Sequence, residues 1–483
     1  MNIRLIIKNL GYVLIIEAAC MLPSLLVSLV YGQADFVAFL ITILLLIVSG
    51  AVVSRIRVEH DDLYTRDGFA IVALGWLLIS VFGALPFLFS GAIPRFIDAF
   101  FESVSGFTTT GSTVLTDIES VPKGLLFWRS FTHWIGGMGV LVLTLAILPS
   151  AKAGSLHIMQ AESPGPAPGK LVPKIGQTAK ILYAIYIALT MVQVILLIIA
   201  GLPVYDAFIH AFGTAGTGGF SNMNRSVGEY NNAAVEIIIA VFMFIFGVNF
   251  SLHYQGLKGN FKAFLRDEEF RFYAGTVVVA TALIVLNTMG TVYQNFWDSL
   301  RYASFQVSSI ITTTGYSTVD FDLWPVFSKS ILVVLMLVGA CAGSTGGAMK
   351  CIRVVLLFKA ARREIVKIIH PRSVHTVKIG GKVIGEETLG AVMSYFFIYM
   401  AILVLSALIV SLEGKDPVTS VTAVICTIGN IGPGLGIVGP MGNFSSFSLL
   451  SKIVLSFDMI IGRLEILPVL VMFSPSSWKR VNI

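Results

Sequence analysis

Charge is scarce in this sequence. Only 12% of its 483 residues are Asp, Glu, Lys or Arg, while 56% are hydrophobic, more apolar side chain than a soluble core of that length can enclose. The shortage excludes a large soluble domain between the apolar runs and leaves most of the chain facing lipid. Cysteine is rare as well. Cys20, Cys341, Cys351 and Cys426 are dispersed among apolar or Gly-rich stretches, without the paired spacing of a metal site or a disulfide framework, so they read as buried small residues. The 7 histidines form no His-Glu-x-x-His pair, and neither a nucleophile elbow nor a Walker lysine occurs. Those absences argue against a membrane enzyme. A net charge of +6 invites a nucleic-acid reading, but basic cytoplasmic loops explain it better in a membrane chain. Membrane lipid is therefore expected as a partner and nucleic acid is not.

What is abundant is apolar sequence in runs of helix-spanning length. At a rise of ~1.5 Å per residue, roughly 20 residues cross the hydrocarbon. Ten such spans are predicted, near residues 10–30, 36–53, 69–89, 125–148, 179–200, 233–254, 272–289, 325–358, 389–412 and 449–473. Arg4 and Lys8 precede the first, which runs straight on towards a second and lacks a convincing cleavage site, so it is read as a retained helix.

With the N-terminus inside, alternate loops carry Arg55, Arg57 and Arg66, then Lys152, Lys170, Lys174 and Lys180, then Lys258, Lys262 and Arg266. The loop after the eighth span holds Lys359, Arg362, Arg363, Lys367, Arg372, Lys378 and Lys382, and the tail holds Lys479 and Arg480. This bias places both termini in the cytoplasm. The opposite loops carry Asp98, Glu102, Asp117, Glu119, Asp206, Glu229, Asp298, Asp320, Asp322, Glu413 and Asp416. These acids suit either a cation-gathering vestibule or ordinary solvated loops.

Four of those outer loops share one plan: a semi-apolar segment too short to cross, a Thr/Gly cluster, then the next span. The clusters are Phe107-Thr108-Thr109-Thr110-Gly111-Ser112, Ala215-Gly216-Thr217-Gly218-Gly219-Phe220-Ser221, Ile311-Thr312-Thr313-Thr314-Gly315-Tyr316-Ser317 and Thr427-Ile428-Gly429-Asn430-Ile431-Gly432-Pro433. The preceding segments, 98–105, 205–212, 298–308 and 416–425, begin near an acid and read as short N-capped helices. Their C-terminal ends, partially negative, point at the clusters and favour a cation there. Non-helical backbone at membrane depth must line protein or a water-filled cavity, and four Thr-x-Gly strips around one axis offer rings of carbonyl oxygen that replace the hydration shell of potassium. One cluster would be a weak signal. Four in equivalent positions are a repeat.

With these clusters stand His133-Trp134-Ile135-Gly136-Gly137-Met138-Gly139, Met159-Gln160-Ala161-Glu162-Ser163-Pro164-Gly165-Pro166 and Asn249-Phe250-Ser251-Leu252-His253-Tyr254. Over nearly its whole length the chain resembles the Trk/Ktr/HKT superfamily of potassium transporters, in particular the TrkH type of bacterial Trk membrane subunit. The resemblance implies an all-α polytopic fold of four pseudo-repeats, each helix, pore helix with filter loop, helix, around one pore, plus two extra N-terminal helices. The divisions would be 1–66 for the extra helices, then 67–150, 151–256, 257–360 and 361–483 for the repeats. It places filter glycines at Gly111, Gly219, Gly315 and Gly432, preceded by carbonyl donors Thr109 and Thr110, Thr217 and Gly218, Thr313 and Thr314, Asn430 and Ile431. The fourth strip departs most from Thr-x-Gly. Glycine at all four positions resembles the potassium-conducting members, whereas serine at the first goes with sodium transport in plant relatives. The resemblance further implies a homodimer in the bacterial inner membrane. It also implies a cytosolic ring of regulatory subunits that carry the nucleotide, ATP/ADP or NAD, while this chain holds no cofactor and moves K+ as cargo. The basic loop from Lys350 to Lys382 suits that ring or simply marks the inner side.

Two features suggest a gate. The eighth span is interrupted from Gly339 to Lys350 by a run containing Gly343-Ser344-Thr345-Gly346-Gly347, too glycine-rich and polar for a lipid-facing helix. It is read either as a close helix contact or, as the resemblance implies, an intramembrane loop that obstructs the pore and moves on opening. Although Gly343 to Gly347 looks like a phosphate loop, it lacks the Gly-Lys-Ser/Thr ending. The last span holds Gly462-Arg463-Leu464-Glu465. A permanent charge there either snorkels to the interface or faces an aqueous cavity, and the resemblance sets Arg463 beside the loop, as a barrier to cations. Repeats of one orientation favour a pore over an inverted-repeat transporter. A sodium-coupled or sodium-selective variant of the same fold is the alternative.

Overall fold

The structure is a computed structural model that describes residues 2–58, 65–139, 175–373, 375–464, 466 and 469. Residues 140–148 of the expected span 125–148, the stretch from Met159 to Pro166, Lys152, Lys170, Lys174, Glu465 and the basic tail lie outside the described residues. Among the described residues the regular elements are helices, apart from a short hairpin that pairs Lys378–Ile379 with Lys382–Val383.

Among the described residues, six helices are long and apolar enough to cross a bilayer: Ile3–Val30, Phe36–Ser54, Arg66–Phe89, Gln177–Ile199, Glu268–Thr288 and Glu386–Ser411. Phe36–Ser54 carries no charge and stops where Arg55 and Arg57 meet the interface. It lies against Ile3–Val30 through Gly11 and Gly50; a Cβ on Gly11 would stand 2.7 Å from the Ser54 nitrogen. Glycine is what lets these two backbones approach.

The expected short helices are present as Phe96–Phe107, Val204–Ala215, Phe296–Ile311 and Pro417–Ile428. Their C-terminal halves are buried while their first turns are partly exposed, so the helix ends that carry the strips form the centre of the molecule. Acid N-capping holds only for the fourth, where Asp416 accepts from the Thr419 nitrogen at 2.9 Å. In the third the cap is Asn295, 3.1 Å from the Trp297 nitrogen. The first two begin after Arg95 and Pro203 without a side-chain cap. Asp98, Asp206 and Asp298 lie instead in the first turn, where a negative charge still complements the helix dipole.

Two expected spans are broken. The segment 233–254 is not one straight helix: Ala233–Phe246 and Phe250–Leu257 meet at a 98° bend. Asn249 caps the second half by accepting from the Ser251 nitrogen at 2.9 Å. The segment 325–358 is helix Val326–Val338, irregular backbone from Gly339 to Lys350, then helix Cys351–Ile369. The breaks complete one another. Cys341 N donates to Gly247 O at 3.0 Å, Phe250 N to Gly343 O at 3.0 Å, and Thr345 Oγ1 to Phe246 O at 3.4 Å. Backbone groups freed by each interruption thus find partners in the other, the condition for irregular chain at membrane depth.

Candidate functional site

Each short helix ends in the same way. Thr109, Thr217, Thr313 and Asn430 have φ of 56°, 54°, 59° and 52°, left-handed values that a β-branched threonine rarely adopts. Their nitrogens donate to Gly106, Thr214, Ile310 and Thr427 carbonyls, all at 3.1 Å. The next residues, Thr110, Gly218, Thr314 and Ile431, donate to Ser105, Gly213, Ser309 and Cys426 carbonyls at 2.8–2.9 Å. This is the Schellman pattern with a strained residue where glycine is usual. Two residues after each strained position, Gly111, Gly219, Gly315 and Gly432 return to positive φ, 77–98°. Alternating handedness turns successive carbonyls to one side of a strip, whereas an ordinary strand alternates them.

The four strips close into a ring. A Cβ built on Gly111 would fall on the Gly218 oxygen, on Gly219 it would meet the Thr314 oxygen, and on Gly315 the Ile431 oxygen, all well inside 3.0 Å. On Gly432 it would stand 2.8 Å from the Thr110 oxygen. The order is therefore strip one, two, three, four and back to one, each glycine against the carbonyl of its neighbour. Side links strengthen the ring: Asn430 Nδ2 donates to Thr110 Oγ1 at 3.0 Å, Ser112 Oγ to Gly432 O at 3.2 Å, and Tyr316 Oη to Phe220 O at 3.2 Å. All four glycines face one outer cavity of about 160 Å³.

The acids expected to make that cavity electronegative do not line it. Its lining contains one charged residue, Arg129. Glu102 is buried against Arg129, Nε to Oε1 2.5 Å, and also accepts from Val114 N at 2.9 Å. Asp98 pairs with Lys452 at 2.6 Å, Asp322 with Lys329 at 3.5 Å and Glu413 with Lys415 at 3.7 Å. Asp206 accepts from Asn222 at 2.9 Å. Asp117 and Glu119 stand one layer back, holding Asn224 at the rim, and the Asn224 amide keeps the Asp117 carboxyl below its usual pKa. These carboxylates are occupied as braces.

Below the ring lies the loop from Gly343 to Lys350. Gly347 N donates to Thr313 Oγ1 at 2.7 Å and Ala348 N to Gly429 O at 3.0 Å, which seats the loop against strips three and four. A Cβ on Gly346 would lie 3.0 Å from Thr312 O, and one on Gly347 would run into Gly429 O, so only glycine fits so close beneath the strips. Ser344 Oγ turns back to Cys341 O at 2.6 Å and the buried Lys350 ammonium to Gly346 O. Glu269, missed in the sequence, gathers both ends: Oε1 accepts from Ala342 N at 2.6 Å and Ile352 N at 3.0 Å. An acid at the start of an apolar helix was the available signal.

Arg463 spans the site. Nη1 donates to Thr345 O at 2.7 Å, and Nη2 to Gly136 O at 2.6 Å and Gly137 O at 2.7 Å. Its partners are thus the loop and the C-terminal end of helix Lys123–Gly137, where a cation is favoured. The guanidinium is thus turned inward onto backbone carbonyls of other elements.

A family profile for TrkH, a cation transport protein, matches residues 35–480. The chain is 39% identical over 487 residues to the Trk system potassium uptake protein TrkH of Salmonella typhimurium, covering 99% of this chain and 100% of that protein. It is 33% identical to the Trk system potassium uptake protein TrkG of Escherichia coli K12, with 99% of each covered. The crystal structure of the potassium transporter TrkH from Vibrio parahaemolyticus superposes at a TM-score of 0.89 and 36% identity, over 99% of this chain and 100% of that one.

Proposed function

The chain belongs to the TrkH family of cation transport proteins, and from that premise we propose that its ring of four strips is a potassium filter and the loop beneath it the gate. The chain is a membrane subunit for potassium uptake. The observation that carries the filter reading is the closed ring, in which every glycine abuts the carbonyl of the next strip. In this reading Thr109, Thr110 and Gly111, with their counterparts Thr217, Gly218 and Gly219, Thr313, Thr314 and Gly315, Asn430, Ile431 and Gly432, offer stacked rings of oxygen. A weakly hydrated K+ exchanges its water for these oxygens at little cost. Glycine serves twice, as the residue that tolerates the positive φ and as the one with no Cβ to strike the neighbouring donor.

The gate reading rests on the hydrogen bonds from the loop to the strips and from Arg463 to the loop. Gly343, Ser344, Thr345, Gly346, Gly347 and Lys350 stop the path below the ring, and Arg463 both pins the loop and sets a fixed positive charge beside it. Helix Cys351–Ile369 continues directly from the loop. Its 19 residues, about 28 Å at the α-helical rise, end in a basic segment with Arg362, Arg363 and Lys367. A cytosolic regulatory ring that binds the nucleotide, ATP/ADP or NAD, would move the loop by shifting this helix. Homodimeric assembly in the bacterial inner membrane, with both termini cytoplasmic and the repeats divided as the sequence suggests, completes the proposal.

The test is potassium and sodium flux through purified protein in liposomes, wild type against Gly315→Ser. Potassium preference that is lost in the variant supports the filter. No preference in wild type, or a variant that matches it, favours the sodium-coupled or sodium-selective alternative or another path.

A further inference from the structure

The second strip breaks the pattern of the others. At the middle position strips one, three and four carry Thr110, Thr314 and Ile431, but strip two carries Gly218. The backbone does not require it. Thr217 and Gly219 have positive φ and Gly218 does not, so any L-residue suits the chain there. What forbids a side chain is His133, on helix Lys123–Gly137. A Cβ on Gly218 would stand closer than 3.0 Å to the ring atoms Cγ, Cδ2 and Nδ1, and a Cβ on Gly216 would meet the His133 carbonyl.

In strip one Thr108 Oγ1 and Thr110 Oγ1 bond at 2.8 Å, and in strip three Thr312 Oγ1 and Thr314 Oγ1 do the same. These hydroxyl pairs brace the turn from helix to strip. In strip two the corresponding residues are Gly216 and Gly218, and both face His133. The imidazole is fully buried. It is held by Nδ1, 2.7 Å from Gly106 O at the end of the first short helix, and it stacks on Phe220 with centroids 4.2 Å apart and planes at 28°. The Arg129 guanidinium lies 3.4 Å from the centre of the same Phe220 ring, and its Nη1 donates to Ser221 O at 3.0 Å.

We propose that His133 is a positioning residue of the filter, its ring bracing the Gly218 carbonyl in the second strip as the threonine hydroxyl pairs brace the first and third. This inference rests on the reading of the strips as the filter. Because the Gly106 oxygen requires a donor, Nδ1 carries the proton and the ring is locked in plane. It thereby joins the end of the short helix Phe96–Phe107 to strip two. Geometry held by packing of this kind is how a selective site keeps its oxygens in register.

The experiment measures potassium and sodium flux in liposomes for Gly218→Ala, His133→Ala and the double variant, with Gly315→Ser as control. Gly218→Ala pushes against the ring and His133→Ala removes the brace. Each is expected to lower the potassium-to-sodium flux ratio about tenfold, the equivalent of roughly 1.4 kcal/mol of discrimination. In the double variant the added methyl occupies part of the vacated space, so the ratio recovers above that of either single variant. A double variant whose loss equals the product of the two singles overturns the proposal, as does Gly218→Ala with the wild-type ratio. Should Gly218→Ala fail to fold, recovery of yield in the double variant supports the proposal and continued failure overturns it. A control without effect defeats the filter reading itself. A control that loses selectivity while the His133 variants keep it defeats only the inference.

Discussion

Alanine at Arg463 removes three charge-assisted hydrogen bonds together: one to Thr345 O at 2.7 Å, and two to Gly136 O and Gly137 O at 2.6 and 2.7 Å. Only the first holds the loop itself. A hydrogen bond to a charged group is worth about 1.5–3 kcal/mol net, so the balance between displaced and seated loop moves by roughly 10- to 150-fold. The remaining bonds from Gly347 and Ala348 to strips three and four still favour the seated state, which limits how far the population shifts. Removing the fixed charge acts in the same direction, since a cation below the ring is no longer repelled. Potassium flux per protein in liposomes is therefore expected to rise about tenfold or more, with the potassium-to-sodium ratio unchanged because no strip bond is lost. Arg463→Lys separates the two contributions. A single ammonium keeps the charge but does not reach Thr345 and Gly136 with a fork, so intermediate flux marks the pinning as dominant and wild-type flux marks the charge. Flux of Arg463→Ala that is unchanged or lower, in protein of normal yield and intact selectivity, refutes the gate assignment.

The glycines of the proposed filter are graded. A Cβ at Gly432 stands 2.8 Å from its neighbour's oxygen, while those at Gly111, Gly219 and Gly315 fall much closer; alanine at Gly432 should cost less selectivity in the same flux assay than alanine at Gly315, and the reverse order would contradict the ring. Glu269→Leu leaves the Ala342 and Ile352 nitrogens without their acceptor, about 1–3 kcal/mol for each buried donor. Basal flux should rise and Tm should fall; an unchanged flux would remove Glu269 as the anchor of the loop. Asp416→Ala should lower stability by ~1 kcal/mol through loss of the cap, seen as a reduced Tm with selectivity retained. The Asp416 carboxyl is held below its ordinary pKa, first by its hydrogen bond to the Thr419 side chain and then by the Thr419 nitrogen. That stabilisation is fully present at neutral pH and disappears only as the pH drops through a value under the ~4 of a free aspartate. The wild-type and Asp416→Ala melting curves should therefore converge only in acid.

Much of the fold is written in local pattern. Apolar runs of spanning length place the six long apolar helices to within four residues, except that the first begins seven residues earlier than expected, because crossing hydrocarbon demands length and apolarity and nothing subtler. The Thr/Gly clusters announce the strips, since a repeat at some hundred residues is visible without any contact. The irregular run from Gly339 to Lys350 is legible for the opposite reason: glycine and hydroxyl side chains there are incompatible with a helix in lipid. The 98° bend after Phe246 is only half legible: Gly247-Val248-Asn249 holds weak helix formers and an N-capping asparagine, but its apolar flanks read as one continuous span. It bends because the loop of another repeat supplies the hydrogen bonds that straightness would otherwise provide.

By itself, then, the sequence determined most of the apolar spans and the four strips, all properties of neighbours along the chain. Only the tertiary structure decided which strip stands beside which, that the outer acids are spent on Arg129, Lys452, Lys329 and Lys415, and that Arg463 reaches Thr345 and Gly136. It likewise decided that Gly218 is small because His133 is there. These are contacts between residues tens to hundreds of positions apart. Charge and side-chain volume are fixed residue by residue, but what neutralises a charge or fills a space depends on which distant backbone the fold delivers to it.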